Sequence, residues 1–268
     1  MGQRTISIPT ITLAILASRM MGYPVMSEND LLRIIHDTPT TELVVDNVEE
    51  KRELREIWKG TSIEKFNRYT SLSDAIYDGD LLNWMKNESD KQDVYETSKS
   101  QLIDIDSSDK TELLYGTIIK YFGLYDSGSD NDSGLKSTIT YREFINMLSK
   151  SYKGSEVLIE RIMHDNYIKD LERKFDKKIN YLEMLHLTVR IYLGLLCDEI
   201  NIDEKSESYR ELVDDYGYNA EQVKSLFIGY ETGIVESINV GILDKRVTCM
   251  EALDTILCTL RFKVCTAV

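Results

Sequence analysis

Proline is scarce, basic charge is outnumbered, and cysteine never comes in a metal-binding pair. The three prolines are Pro9, Pro24 and Pro39, and none follows position 39. Beyond that point no proline interrupts a helical N–H ladder, so long helices are permitted. Lys and Arg number 32 against 46 Asp and Glu, a formal net charge of −14 with a pI near 4.8. That balance disfavours duplex DNA or RNA as the primary ligand, because phosphate contact rewards clustered cations. It favours cationic partners or divalent ions, and it keeps the chain in solution. The richest basic stretch, KDLERKFDKK at 169–178, is diluted by its own acids. The cysteines are Cys197, Cys249, Cys258 and Cys265, with no C-x-x-C spacing. So few, in no framework, imply a reducing and hence cytoplasmic compartment.

Long apolar runs are also lacking at the ends. Fourteen uncharged residues lie between Arg4 and Arg19, too few to cross a bilayer. Pro9, Thr10 and Thr12 interrupt them as a signal-peptide core, and no A-x-A site follows. Gly2 lacks the Ser or Thr that a myristoylation motif wants at position 6, where Ile6 stands. The terminal Cys265-Thr-Ala-Val lacks the aliphatic pair of a prenylation box. Ordinary termini and no transmembrane segment are expected. The chain contains no Walker loop, no G-x-G-x-x-G, no G-x-S-x-G and no H-E-x-x-H. Its sixteen tyrosines are not interleaved with basic residues, as single-strand stacking would need, but tyrosine is a favoured interface residue.

What is present is helix. The stretch 180–201, NYLEMLHLTVRIYLGLLCDEIN, is apolar around most of its circumference. At 100° per residue Met184, Leu187, Ile191 and Leu195 form one row, and Leu185, Val189, Tyr192 and Leu196 another. A helix apolar on most sides is a buried central helix. Further helices are expected at 8–21, 27–35, 42–58, 63–69, 73–85, 111–125, 141–152, 156–175, 206–216, 220–238 and 249–265. No segment alternates convincingly. The expected fold is therefore all-α: a multi-helix, bundle-like arrangement around the central helix at 180–201. Residues 89–110 are polar and weakly patterned, and read as a linker or connection between an N-terminal helical region, 1–88, and a C-terminal helical domain, 111–268.

One helix start recurs three times. Ile139-Thr140-x-x-Glu143, Ile179-Asn180-x-x-Glu183 and Val247-Thr248-x-x-Glu251 each place a β-branched residue before a capping residue, with Glu three positions after the cap. This is the capping-box pattern: the cap receives the N3 amide, and the glutamate reaches back to the cap's own N–H. The copies lie 40 and 68 residues apart, which excludes a fixed-period solenoid. The same pattern resembles the tail of an EF-hand loop, apolar at position 8 and Glu at position 12. The front halves do not follow. Positions 1, 3 and 5 are Asp132, Gly134 and Lys136 in the first copy, Glu172, Lys174 and Asp176 in the second, and Val240, Ile242 and Asp244 in the third. Only the first copy has oxygens to gather, from Asp126, Asp130 and Asp132 with Glu143 in an enlarged loop spanning 126–143. Ca2+ is the one metal this resemblance implies.

Two further constellations carry chemistry. Glu183, His186 and Arg190 share one face of the central helix and form a polar stripe. Glu183 is accounted for by its capping box, so the stripe reads first as structural. His36-Asp37 and His164-Asp165 resemble the HD pair of metal-dependent phosphohydrolases, but the only other histidine is His186, and the metal pair of such enzymes needs more ligands. The sequence thus leads to a non-enzymatic helical protein that binds other proteins or itself, a structural or regulatory subunit of an assembly, a viral one included. A calcium-responsive protein centred on 126–143 is the alternative, and an HD-like phosphohydrolase the second.

Overall fold

The computed structural model describes residues 55–101, 109–125, 134–152, 173–192 and 200–266. The helices expected at 8–21 and 27–35 lie outside them, as do residues 42–54 of the helix expected at 42–58, residues 156–172 of the helix expected at 156–175, His36-Asp37 and His164-Asp165; residues 173–175, the described end of the last of these helices, form a turn and not a helix.

Among the described residues the protein is helical and holds no strand, in keeping with the all-α expectation. A 3-10 helix at Ser62–Arg68 leads into α1 (Leu72–Tyr77) and α2 (Asp80–Lys86). The single helix expected at 73–85 is two, because Gly79 adopts φ 76° between them, a conformation open to glycine and costly for other residues. Then come α3 (Glu88–Gln101), α4 (Lys110–Tyr121), α5 (Tyr141–Ser151) and α6 (Tyr181–Tyr192). The chain continues with α7 (Glu207–Arg210), which passes into a π-helical turn at Glu211–Asp215. Last are α8 (Ala220–Glu231), α9 (Val240–Leu243) and α10 (Cys249–Thr266). The helix expected at 220–238 ends early, at Gly233 with φ 71°.

The stretch read as a polar linker is helical as far as Gln101. Its inward stripe, Lys91, Val94, Tyr95 and Ser98, has helical spacing and is buried. Half of that stripe is polar, which hides it from a hydrophobicity pattern, yet each polar member is satisfied. Lys91 Nζ donates to Met85 O at 2.8 Å and to Glu88 at 2.6 Å. Ser98 Oγ accepts from Trp58 Nε1 at 2.8 Å and lies 2.7 Å from Thr117 Oγ1. One apolar cluster accordingly runs from Trp58 to Leu260 and includes residues on either side of 89–110. An aromatic group of Trp58, Phe66, Trp84, Tyr121 and Phe122 fills its N-terminal end, with Phe66 edge-on to Trp84 at 5.7 Å.

Helix α6 joins this cluster to a second one. Met184, Leu187 and Ile191 belong to the first, while Leu182, Leu185 and Val189 belong to the second with α7, α8 and 234–243. Met184, Leu187 and Ile191 come from one apolar row read from the sequence, and Leu185 and Val189 from the other; Leu196 lies outside the described residues. Leu187 and Ile191 are buried as expected, and Leu195 lies outside the described residues. Burying each such side chain stabilises by about 1.5–3 kcal/mol. Helix α8 comes close on α6 because position 229 is glycine. A Cβ there would meet Leu185 Cδ1 at 3.3 Å and Val235 Cγ2 at 3.2 Å.

The three recurring helix starts meet in space. Ile139 N–H donates to Val247 O at 3.0 Å, Val247 N–H to Ile179 O at 3.1 Å, and Ile179 N–H to Ile139 O at 3.1 Å. The result is a closed ring of three hydrogen bonds. A second set repeats the rotation: Tyr141 N–H donates to Lys177 O, Tyr181 N–H to Lys245 O, and Cys249 N–H to Ser137 O, at 3.0, 3.0 and 3.1 Å. Each pair of segments also makes one antiparallel bridge. Four residues before each ring member sits a buried apolar residue: Leu135, Phe175 and Leu243. The ring residues themselves are fully buried. Helices α5, α6 and α10 leave this junction with approximate threefold equivalence, and its burial explains the β-branched residue at each start.

Candidate functional site

Two of the three helix starts are closed by a reciprocal capping box, and the third, at Asn180, shows only its first half, the cap side chain on the Glu183 amide. Thr140 Oγ1 accepts from Glu143 N–H while Glu143 Oε2 accepts from Thr140 N–H at 2.6 Å, a complete capping box. Thr248 and Glu251 repeat it, with Glu251 Oε2 accepting from Thr248 N–H at 2.8 Å. Asn180 Oδ1 accepts from Glu183 N–H at 2.8 Å. The Oε1 oxygen of each glutamate is engaged as well. Tyr125 donates to Glu143 Oε1 at 3.1 Å, Lys174 meets Glu183 Oε1 at 2.9 Å, and Lys245 meets Glu251 Oε1 at 3.2 Å. In the second and third copies an ammonium thus holds the oxygen that an EF-hand would offer to calcium. Asp126, Asp130 and Asp132 lie outside the described residues. Among the described residues no three His, Cys, Asp or Glu side chains group as a metal site.

The stripe on α6 runs from half-buried to exposed. Glu183 pairs with Lys174, and Arg190 pairs with Glu221 of α8 at 2.6 Å in solvent. His186 between them is 2% exposed, with Nδ1 2.7 Å from Ser225 Oγ of α8. Ser225 in turn donates to Glu221 O at 3.1 Å. Burial, aided by the Arg190 charge and opposed by Glu183, depresses the imidazole from 6.5 to about 4, so the ring is neutral. His186 and Arg190 therefore clamp α6 to α8, and Glu183 ties α6 to Lys174 in the turn before it. Cys249 is likewise quiescent: burial, with the Glu143 charge, pushes its thiol up to about 12.

A different face carries the exposed chemistry, one the sequence reading did not single out. Tyr216 follows the π-helical turn and is 53% exposed. Its ring stacks on Tyr218 at 6.2 Å and 19°, and Tyr218 donates to Asp244 at 2.8 Å. Burial and this hydrogen bond push the Tyr218 phenol up to about 12. Tyr209 anchors the same segment from beneath, donating to Ala220 O at 3.0 Å. Between 203 and 218 six acidic residues stand against two basic ones, and Glu207, Glu211, Asp214 and Asp215 are exposed. The arrangement is a pre-positioned aromatic ring on an acidic surface. The sequence signal was the dense run ELVDDYGY, legible as charge but not as a surface. No family model, curated protein or solved structure matches the chain. No described helix is long and apolar enough to cross a membrane.

Proposed function

We propose that the chain works by binding another protein, as a non-enzymatic structural or regulatory subunit of an assembly in a reducing, cytoplasmic compartment. The observation that carries this reading is the Tyr216 face. An exposed tyrosine held by stacking loses little freedom on binding, and tyrosine is enriched where proteins meet. The surrounding carboxylates select a cationic partner and speed its approach. Free Cys249 and Cys258 support the reducing compartment. His186 and Arg190 are engaged in holding α6 against α8 and Glu183 in holding Lys174, which supports a binding rather than a catalytic role.

Gentle purification from the native source, at low and at high salt, tests the proposal beside Tyr216→Ala. A stoichiometric protein partner is expected, released by salt and lost with the tyrosine. A chain that runs alone at 30.9 kDa at low salt refutes it. A calcium-responsive reading draws on one contact, the Tyr125 hydroxyl on Glu143, which brings the entrance of the acidic loop to the glutamate. Titration calorimetry decides it: heat and a raised melting temperature at millimolar calcium support it, and neither disposes of it.

A further inference from the structure

The junction that joins the three helix starts also gathers charge. In 134–142, 173–178 and 244–246, basic residues outnumber acidic ones eight to two, in a chain of net charge −14. The backbones of Lys177 and Lys245 accept two of the three bonds in the second set of junction hydrogen bonds. Arg246 Nη1 donates to Lys178 O at 2.6 Å, and Lys178 Nζ donates to Thr138 O. Lys136, Arg142, Lys177, Lys178, Lys245 and Arg246 are all exposed. Carboxylates engage part of this charge: Lys136 pairs with Glu112 at 2.5 Å, Arg142 with Asp176 at 3.3 Å, Lys174 with Glu183 at 2.9 Å and Lys245 with Glu251 at 3.2 Å, while Asp244 accepts from Tyr218, so Lys177, Lys178 and Arg246 carry the excess positive charge of the lobe. The KDLERKFDKK stretch is diluted in sequence, but the fold brings cations from two other segments beside it.

This basic lobe adjoins the acidic Tyr216 face. The Tyr218–Asp244 hydrogen bond is the seam, since Asp244 immediately precedes Lys245 and Arg246. Adjacent lobes of opposite sign are self-complementary under a twofold rotation, where patch i meets patch j and patch j meets patch i. We propose that the chain pairs with a second copy of itself across this seam, the acidic lobe of each on the basic lobe of the other and Tyr216 at the centre. The inference rests on the reading of the Tyr216 face as a protein-binding surface, and it names the partner. A nucleic acid or an anionic membrane fits less well, because the remaining surface of a −14 chain repels an extended polyanion.

The test uses the full chain, purified alone, in light scattering and sedimentation. At about 0.05 M salt it forms a dimer of twice 30.9 kDa, which dissociates near about 1 M, where the screening length falls to about 3 Å. The double variants Lys177→Glu/Lys178→Glu and Asp214→Lys/Asp215→Lys each weaken pairing at least about 100-fold, since like charges then face each other. Mixed in equal amounts they pair again, because every contact is once more between opposite signs. Circular dichroism and melting confirm that both variants are folded, and Tyr216→Ala gives the same loss without changing charge. A wild-type monomer at low salt overturns the proposal, as does a dimer indifferent to the charge reversals or a mixture that stays monomeric. A monomer that binds nucleic acid or anionic vesicles assigns the basic lobe to a polyanion and overturns it too. A monomer that still co-purifies with another protein through Tyr216 overturns the pairing and leaves the preceding reading standing.

Discussion

Acid should loosen the clamp between α6 and α8 through His186. The imidazole is buried on Ser225 and held near pKa 4 against an ordinary 6.5. The folded state therefore disfavours the protonated ring, and between these values the unfolded chain binds more protons. Stability from this group is complete above pH 6.5 and falls as pH drops toward 4. Linkage over that window gives a loss of about 2.5 kcal/mol between pH about 7.5 and pH about 4.5. Carboxylates titrate there as well, so the comparison is with His186→Asn, whose amide can meet Ser225 and carries no proton to gain. Urea unfolding at both pH values, followed by helical circular dichroism, measures the difference. The wild type should lose about 2.5 kcal/mol more than the variant. Equal losses in the two proteins would refute a depressed, neutral His186.

Four other outcomes follow from the packing. Ile179→Ala should cost about 2–5 kcal/mol, because a fully buried side chain at the three-way junction leaves a cavity; chemical denaturation reads this. Gly229→Leu should cost about 1–3 kcal/mol by forcing α8 off Leu185, seen as a lower melting temperature. Trp58→Phe should cost about 1–2 kcal/mol, since it removes the donor to buried Ser98, measured by urea unfolding. Cys249 should resist alkylation in the folded protein near pH 8 and react after unfolding, because the thiolate is the reactive form; peptide mass spectrometry checks it.

Much of this architecture is legible in side-chain pattern alone. The rows of α6 read from the sequence divide between the two clusters it bridges, because apolar periodicity reports burial directly. The capping boxes at Thr140 and Thr248 form as read, since a cap and its glutamate are local to one turn. What escaped has physical causes. The inward stripe of α3 contains Lys91 and Ser98, whose burial depends on partners at Met85 and Trp58 that no periodicity announces. The three helix starts resemble one another in sequence, but their meeting is made by backbone groups, which carry no residue identity. Only the 169–178 part of the basic lobe was legible, as the richest basic stretch, because its remaining cations come from segments 40 and 68 residues away. Glu183, His186 and Arg190 do share a face, and their helix partners, Ser225 and Glu221, could only be found in three dimensions.

The ring of Ile139, Ile179 and Val247 also sets an order of assembly. During synthesis the first two segments emerge before the third, and between them they can make one of the three bonds. Until residue 247 arrives, the Ile139 N–H and the Ile179 carbonyl lack the partner that the finished fold gives them. Both belong to buried residues, where an unpaired backbone group is costly. A chain ending before α10 should therefore be a poor folder, and joining of the early and late parts should be the step that commits the whole to its native form.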